Sequence, residues 1–369
     1  MKKVNVKRFV TIIAAVVLAL IIVVKLAIFL FGLIAGIQIV DTGKTITPSV
    51  VSEHDFDEYN GKIAVVNSKG VEFYDGKGGY DADIAFKIYA PFIYSKDKYA
   101  AVADIGAQNA IVLKGTKQVY KIAEQEPISS VSVNKNGYSA VITNESGYKS
   151  SVVIHDNLGS EIYTWYSGEL YVVDVKVSDN NKRFAVVGID TEDNLKSVVK
   201  LFKIKDSEPY AEVIFDSELA YQLEYRGNNL LVLTDKKISL VSAGGKVKKS
   251  YNFDGQTLLC FDIKNSSRPV LILDDKESAG SKVVILSSSL RERGDCTIEG
   301  QAKMMDENDK EIVVSNGDML YYIGSTGSLK AKGQMNKDAE NIRFSKDHKH
   351  IFTLSGSTLS VYEIKYGRE

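Results

Sequence analysis

The stretch FSKDHKHIFTLSGSTLSVYEI, residues 344–364, sets an apolar residue before a polar turn and a short apolar run after it. The chain uses this phrase repeatedly. It occurs as IYSKDKYAAVAD from Ile93, VNKNGYSAVIT from Val133 and VSDNNKRFAVVG from Val177. A second phrase runs alongside. VEFYDGKG ends at Gly78, VVIHDNLG at Gly159, ISLVSAGG at Gly245 and LYYIGSTG at Gly327, each glycine five residues after Phe73, Ile154, Leu240 or Tyr322. Glycine suits such turns because it accepts a positive φ without steric cost. These glycines are 81, 86 and 82 residues apart, and matching turns near Gly115, Asp206 and Leu290 halve the interval. The period is therefore about 40 residues, filled by three or four short β-patterned runs, which is the signature of a propeller blade.

The turns after the third strand fall near residues 77, 115, 159, 206, 245, 290, 327 and 366. They predict an all-β, eight-bladed β-propeller, or seven blades if one unit is an insertion. The last unit has three strands, and TITPSVVS at residues 45–52 has no partner of its own. Strand 45–52 is therefore expected to complete the last blade and close the ring, leaving no open edge. Stacked sandwiches or a solenoid would explain neither the period nor the missing strand.

Composition agrees with a packed domain: 44% of residues are hydrophobic and 25% charged. The N-terminus is of another kind. Lys2, Lys3, Lys7 and Arg8 precede an apolar run over residues 9–40, broken by Lys25 and Gln38. About 20 apolar residues cross a bilayer, whereas a secretory signal has an apolar core of about 7–15. FGLIAGIQ also places large residues at the −3 position for cleavage after either Ala35 or Gly36. An uncleaved transmembrane anchor helix is expected. Basic residues before the run put residues 1–8 in the cytoplasm and residues 41–369 outside. Lys25 either snorkels toward headgroups or meets an acid of a partner helix. Five of the 46 basic residues and none of the 47 acidic ones lie in residues 1–40, so the remainder carries 41 against 47, a net of −6. That is a poor surface for nucleic acid.

Catalytic motifs are absent. There is no G-x-x-x-x-G-K-[ST], H-E-x-x-H or G-x-S-x-G, and SAGGKVKKS reads as a β-turn entering a strand. His348 and His350 could face one side of a strand, but a third ligand is missing, and His54 and His155 are isolated. Acid-rich turns at Asp81 and Asp83, at residues 190–193 and at residues 274–277 lack the calcium-loop pattern. Cys260 and Cys296 are the only cysteines; Cys260 reads as a core residue, and a bridge between the two is allowed outside the cell. No catalytic, cofactor-binding or metal-binding residue is nominated. Most of the 20 tyrosines suit half-buried sheet positions. A binding patch is expected at Tyr163, Trp165, Tyr166 and Tyr171, with the loop GIDTEDNLKS contributing Asp190 and Asp193.

HDNLGSEIYTW, residues 155–165, is similar to the Asp-x-x-x-Gly-and-Trp turn of quinoprotein-like repeats, and the whole resembles degenerate WD40-like propellers. Trp165 is the only tryptophan, and the Gly-His and Trp-Asp signatures of WD40 repeats are missing. With its basic N-terminus and apolar run, the chain resembles uncharacterised bacterial membrane-anchored β-propeller proteins. That resemblance implies fold and topology at the cell membrane and carries no activity. The expectation is a non-enzymatic scaffold at the cell envelope that binds a protein or polymer and needs no cofactor. The alternatives are an envelope glycan-acting enzyme with acids in the axial channel, and a sensor signalling through its anchor.

Overall fold

The computed structural model describes residues 36–50, 54–192, 194–264, 267–275, 277–335 and 339–367. The expected anchor with Lys7, Arg8 and Lys25 lies outside the described residues, as does Asp193. Among the described residues no helix is long and apolar enough to cross a membrane.

Among the described residues thirty-two strands form eight antiparallel four-stranded sheets, so the ring has eight blades. We number them along the chain: blade 1 (55–85), blade 2 (91–123), blade 3 (128–167), blade 4 (171–216), blade 5 (220–252), blade 6 (258–299), blade 7 (304–334) and blade 8 (341–366). Strands within a blade are lettered a to d from the axis outward. Strand d of blade 8 is the first strand of the chain, Ile37–Ile46, which pairs with Thr358–Tyr366. This corrects the expectation on two points. The closing strand is residues 37–46 rather than 45–52, and residues 37–40 belong to the propeller rather than to an anchor helix over 9–40. The reason is the alternation of Ile37 and Ile39, which pack against the core between blades 7 and 8, with Ile46 buried against blade 1. Between Asp41 and Thr45 the register slips, and Thr42 donates to the Val361 carbonyl at 2.6 Å.

Strands b and c are continuous apolar runs such as Ala64–Val66 and Val152–Ile154 because each blade is covered on both faces by its neighbours. Each of the eight junctions holds one apolar cluster. Strands d, exposed on one face, alternate instead, as in Lys117–Ala123.

The repeated phrases are turns. Gly78, Gly159, Gly245 and Gly327 lie at φ of 77°, 87°, 76° and 85°, and each amide returns to the carbonyl three residues earlier. A Cβ on Gly159 would meet the Tyr120 ring of the preceding blade at 2.8 Å, so glycine is required there for conformation and for space. Leu290 takes the equivalent place in blade 6 at φ 55°, which is why that turn is less legible.

In every blade the a–b turn lies at one end of the ring, and in blades 1 to 7 the c–d turn lies there too. The b–c turns and the links to the next blade lie at the other. The closing strand enters at the first end, since Ile37 pairs with Tyr366 where strand c of blade 8 finishes.

Candidate functional site

The inner strands place polar side chains at the axis, where apolar ones would meet no blade. Asp57 of blade 1 is 4% exposed and accepts from Lys264 Nζ of blade 6 at 2.8 Å, Arg343 Nε of blade 8 at 2.8 Å and Ser95 Oγ of blade 2 at 2.7 Å. Lys96 of blade 2 crosses to Glu224 of blade 5 at 2.5 Å and donates to the Lys264 carbonyl at 2.6 Å. Lys176 pairs with Asp174 in blade 4, and the ammonium groups of Lys176 and Lys264 lie 4.6 and 4.7 Å from the centre of the Tyr94 ring. The axis is therefore filled by an ionic plug that ties blades across the ring.

This plug sorts its carboxylates. Burial alone would raise Asp57, but Lys264 and Arg343 override it and hold the group at about 2. Asp306 is raised to about 8 by burial, with Asp262 and Asp57 adding to it against Arg343, although its carboxylate accepts the Phe344 amide at 2.6 Å. Glu58 rises to about 7 through burial and the charge of Asp57. Burial also raises Glu224. Asp57, Glu58, Asp306 and Arg343 line a cavity of about 270 Å³ that opens at the a–b end, with Asp97 and Lys346 at its margin. Composition gave no sign of this convergence, since these residues are scattered from position 57 to 346.

The predicted aromatic patch divides. Tyr163 and Trp165 pack on the face of blade 3 toward blade 4, with ring centroids 4.9 Å from Phe184 and 5.1 Å from Phe202 respectively. Tyr166 points the other way on its strand and Tyr171 begins the next one; they are 48% and 52% exposed. Tyr148, 49% exposed, joins them with its ring 5.0 Å from Tyr166. Lys149 then bridges the patch to the predicted loop: its ammonium lies 5.4 Å from the Tyr171 ring centre and 3.0 Å from Glu192. Asp190 caps the same loop through the Glu192 amide at 3.0 Å and pairs with Lys196 at 3.1 Å. Sequence reading missed Tyr148 and Lys149; ESGYKSS reads as an ordinary polar turn, and only the pairing of strands b to d brings it to Tyr166. A shallow pocket of about 260 Å³, lined by Trp165, Tyr166, Glu169 and Lys200, adjoins this rim.

The remaining candidates are engaged separately. His348 Nδ1 meets Glu311 at 3.0 Å and His350 Nδ1 meets Asp347 at 2.6 Å, so the two imidazoles serve different carboxylates. Among the described residues no group of three or more His, Cys, Asp or Glu is arranged to hold a metal. Cys260 and Cys296 are free thiols on the first and fourth strands of blade 6, each pushed up to about 11 by burial.

Comparison with solved structures returns propellers. BamB from Moraxella catarrhalis is similar at a TM-score of 0.55 and 9% identity, covering 88% of this chain and 99% of that one. The C-terminal WD40 domain of Sif2 is similar at 0.62 and 13%, covering 86% and 100%. A chain of the mitotic checkpoint complex is similar at 0.51 and 14%, covering 88% and 90%. At these identities the likeness shows the fold alone. No curated protein matches. The family described as "Family of unknown function (DUF5711)" matches residues 38–364, and the chain belongs to it.

Proposed function

We propose that this DUF5711 family member is a single-pass membrane protein of the bacterial cell envelope, with its N-terminus in the cytoplasm and its propeller outside as a non-enzymatic scaffold. The observation that carries the binding role is the rim of Tyr148, Tyr166 and Tyr171 around Lys149, half-exposed rings held on a turn and two strand ends of a rigid ring. Tyrosine gives large contact area for little lost side-chain freedom, and turns on a rigid frame are where binding groups are placed. The carboxylates of Asp190 and Glu192 beside it add polar contacts for a protein or polymer. The apolar run before Ile37 supports the anchor. The similar propeller of the mitotic checkpoint complex works inside an assembly, and a rigid ring suits this chain to the same kind of task.

The test is crosslinking in living cells with the tagged full-length protein. Envelope partners recovered repeatedly with the natural chain should be lost with the Tyr148→Ala/Tyr166→Ala/Tyr171→Ala variant at unchanged thermal stability. Recovery that is indifferent to the rim would refute it.

One observation favours a second reading, an envelope glycan-acting enzyme. Asp57 and Asp306 line one cavity with acidities pushed apart, the pattern of a base and an acid. Against it, Asp57 is already committed to two cations. Release of sugars from envelope glycans by the purified protein, abolished by Asp306→Asn, would establish this reading over the first.

A further inference from the structure

We infer that the a–b end of the ring is a docking surface for the anionic headgroups of the bilayer that holds the anchor. This rests on the anchored reading proposed above.

Two independent features point the same way. The first is strand direction. Ile37 starts the closing strand at the a–b end, paired with Tyr366, and only Gly36 stands between that strand and the residues preceding position 36. A chain leaving the bilayer just before Gly36 would deliver the propeller with this end nearest the lipid.

The second is charge. The propeller region carries a net of −6, yet its two ends differ in sign. On the a–b turns Lys98, Lys135, Lys182, Lys310, Lys346 and Lys349 are exposed. The c–d turns at the same end add exposed Lys77, Lys114, Lys117, Lys205, Lys246 and Arg291. Acids stand among them in smaller number, with Asp75, Asp97, Glu161, Glu208, Glu292, Asp309 and Asp347 exposed, while Asp179 and Asp206 are taken up by Lys135 and Lys203 at 2.9 and 3.0 Å. The opposite end reverses the balance. Its links between blades expose Glu169, Asp216, Asp254, Glu299 and Glu340, and its b–c turns carry Glu145, Glu192, Asp235, Glu277 and Asp318. Among the described residues of its turns and links, Lys69, Lys87, Lys236 and Lys303 are the exposed cations.

Charges near an anionic membrane act within a Debye length, about 8 Å at physiological ionic strength. A strand of six residues spans about 20 Å. The basic end can therefore lie within range of the headgroups while the acidic end, with the Tyr148–Tyr166–Tyr171 rim, stays outside it and faces away. The tyrosine rim is thereby presented to partners rather than to lipid.

Lysine footprinting of the full-length protein in phospholipid nanodiscs tests this. An amine-reactive ester would be applied in discs of phosphatidylcholine alone and in discs with added phosphatidylglycerol, and modification read by mass spectrometry. The anionic discs should lower reactivity several-fold at Lys98, Lys135, Lys182 and Lys346. Lys69, Lys87, Lys236 and Lys303 should be unchanged, and high salt should restore the first set. Equal reactivity of both sets in both lipids, or shielding of the second set, overturns the inference while leaving the anchor intact. Failure of the chain to enter neutral discs at all overturns the anchor and this inference with it.

Discussion

Replacing Asp57 by Asn tests whether the axial plug holds the ring together. The carboxylate is almost fully buried and receives Lys264, Arg343 and Ser95 from three other blades. Asn keeps the shape and removes the charge, leaving two cations at the axis without their shared anion. Removing one partner of a buried ionic set costs about 3–5 kcal/mol. For a ring of about 330 residues the entropy of unfolding is near 0.7 kcal/mol per degree, so the melting temperature should fall by about 4–7 °C. Arg343→Met should cost less, about 2–3 kcal/mol, because Lys264 still answers Asp57. The double variant should lose less than the sum of the singles by at least about 1 kcal/mol, since each change removes part of the reason for the other. Calorimetry of the purified full-length protein reads all three. A shift below about 1 °C for Asp57→Asn, or strict additivity in the double variant, would show that water and not the plug satisfies these charges.

Further outcomes follow from the same geometry. Asp306 has its folded acidity raised to about 8, above the ordinary carboxyl value of 3.8, so its ionisation penalises the fold increasingly as pH rises from about 4 through 8. Asp306→Asn should therefore stabilise little at pH 5 and clearly at pH 8.5 in urea melts, and a gain that shrinks with pH would contradict the assignment. A Cβ on Gly333 would approach the Ile39 Cβ to 2.6 Å, so Gly333→Val should displace the closing strand and cost about 1–3 kcal/mol, with faster proteolysis within residues 37–46. Unchanged digestion would mean the strand is held elsewhere. Gly159→Ala should lower the melting temperature through its positive φ and the Tyr120 contact, whereas Gly168→Ala, with open space around it and no positive φ, should leave the melting temperature unchanged within error.

Legibility varied with the range of the interaction. The blade period was readable because each c–d turn is a local device: Gly78, Gly159, Gly245 and Gly327 sit in the left-handed region within four-residue turns that their own sequences specify. The closing strand was misplaced because IQIVDTGKTI follows directly on apolar sequence, and periodicity cannot separate the end of an apolar run from a strand whose partner lies over 300 residues away. The aromatic candidates were found by type and divided by structure. Tyr163 and Trp165 differ from Tyr166 only in parity along one strand, and which parity faces blade 4 is decided when the blades stack.

What the sequence by itself determined is the repeat, and with it the eight blades, since strand length, turn chemistry and apolar alternation act between residues a few positions apart. It also set the sum of charges at each turn. Tertiary structure alone decided how those charges are shared. Asp57, Lys96, Glu224, Lys264 and Arg343 become one network only at the axis, where blades separated by long stretches of chain converge and low dielectric makes each charge depend on its partners. The same holds for the basic and acidic ends: the turns alternate along the chain, and only the folding of every blade in one direction gathers like charge on like face.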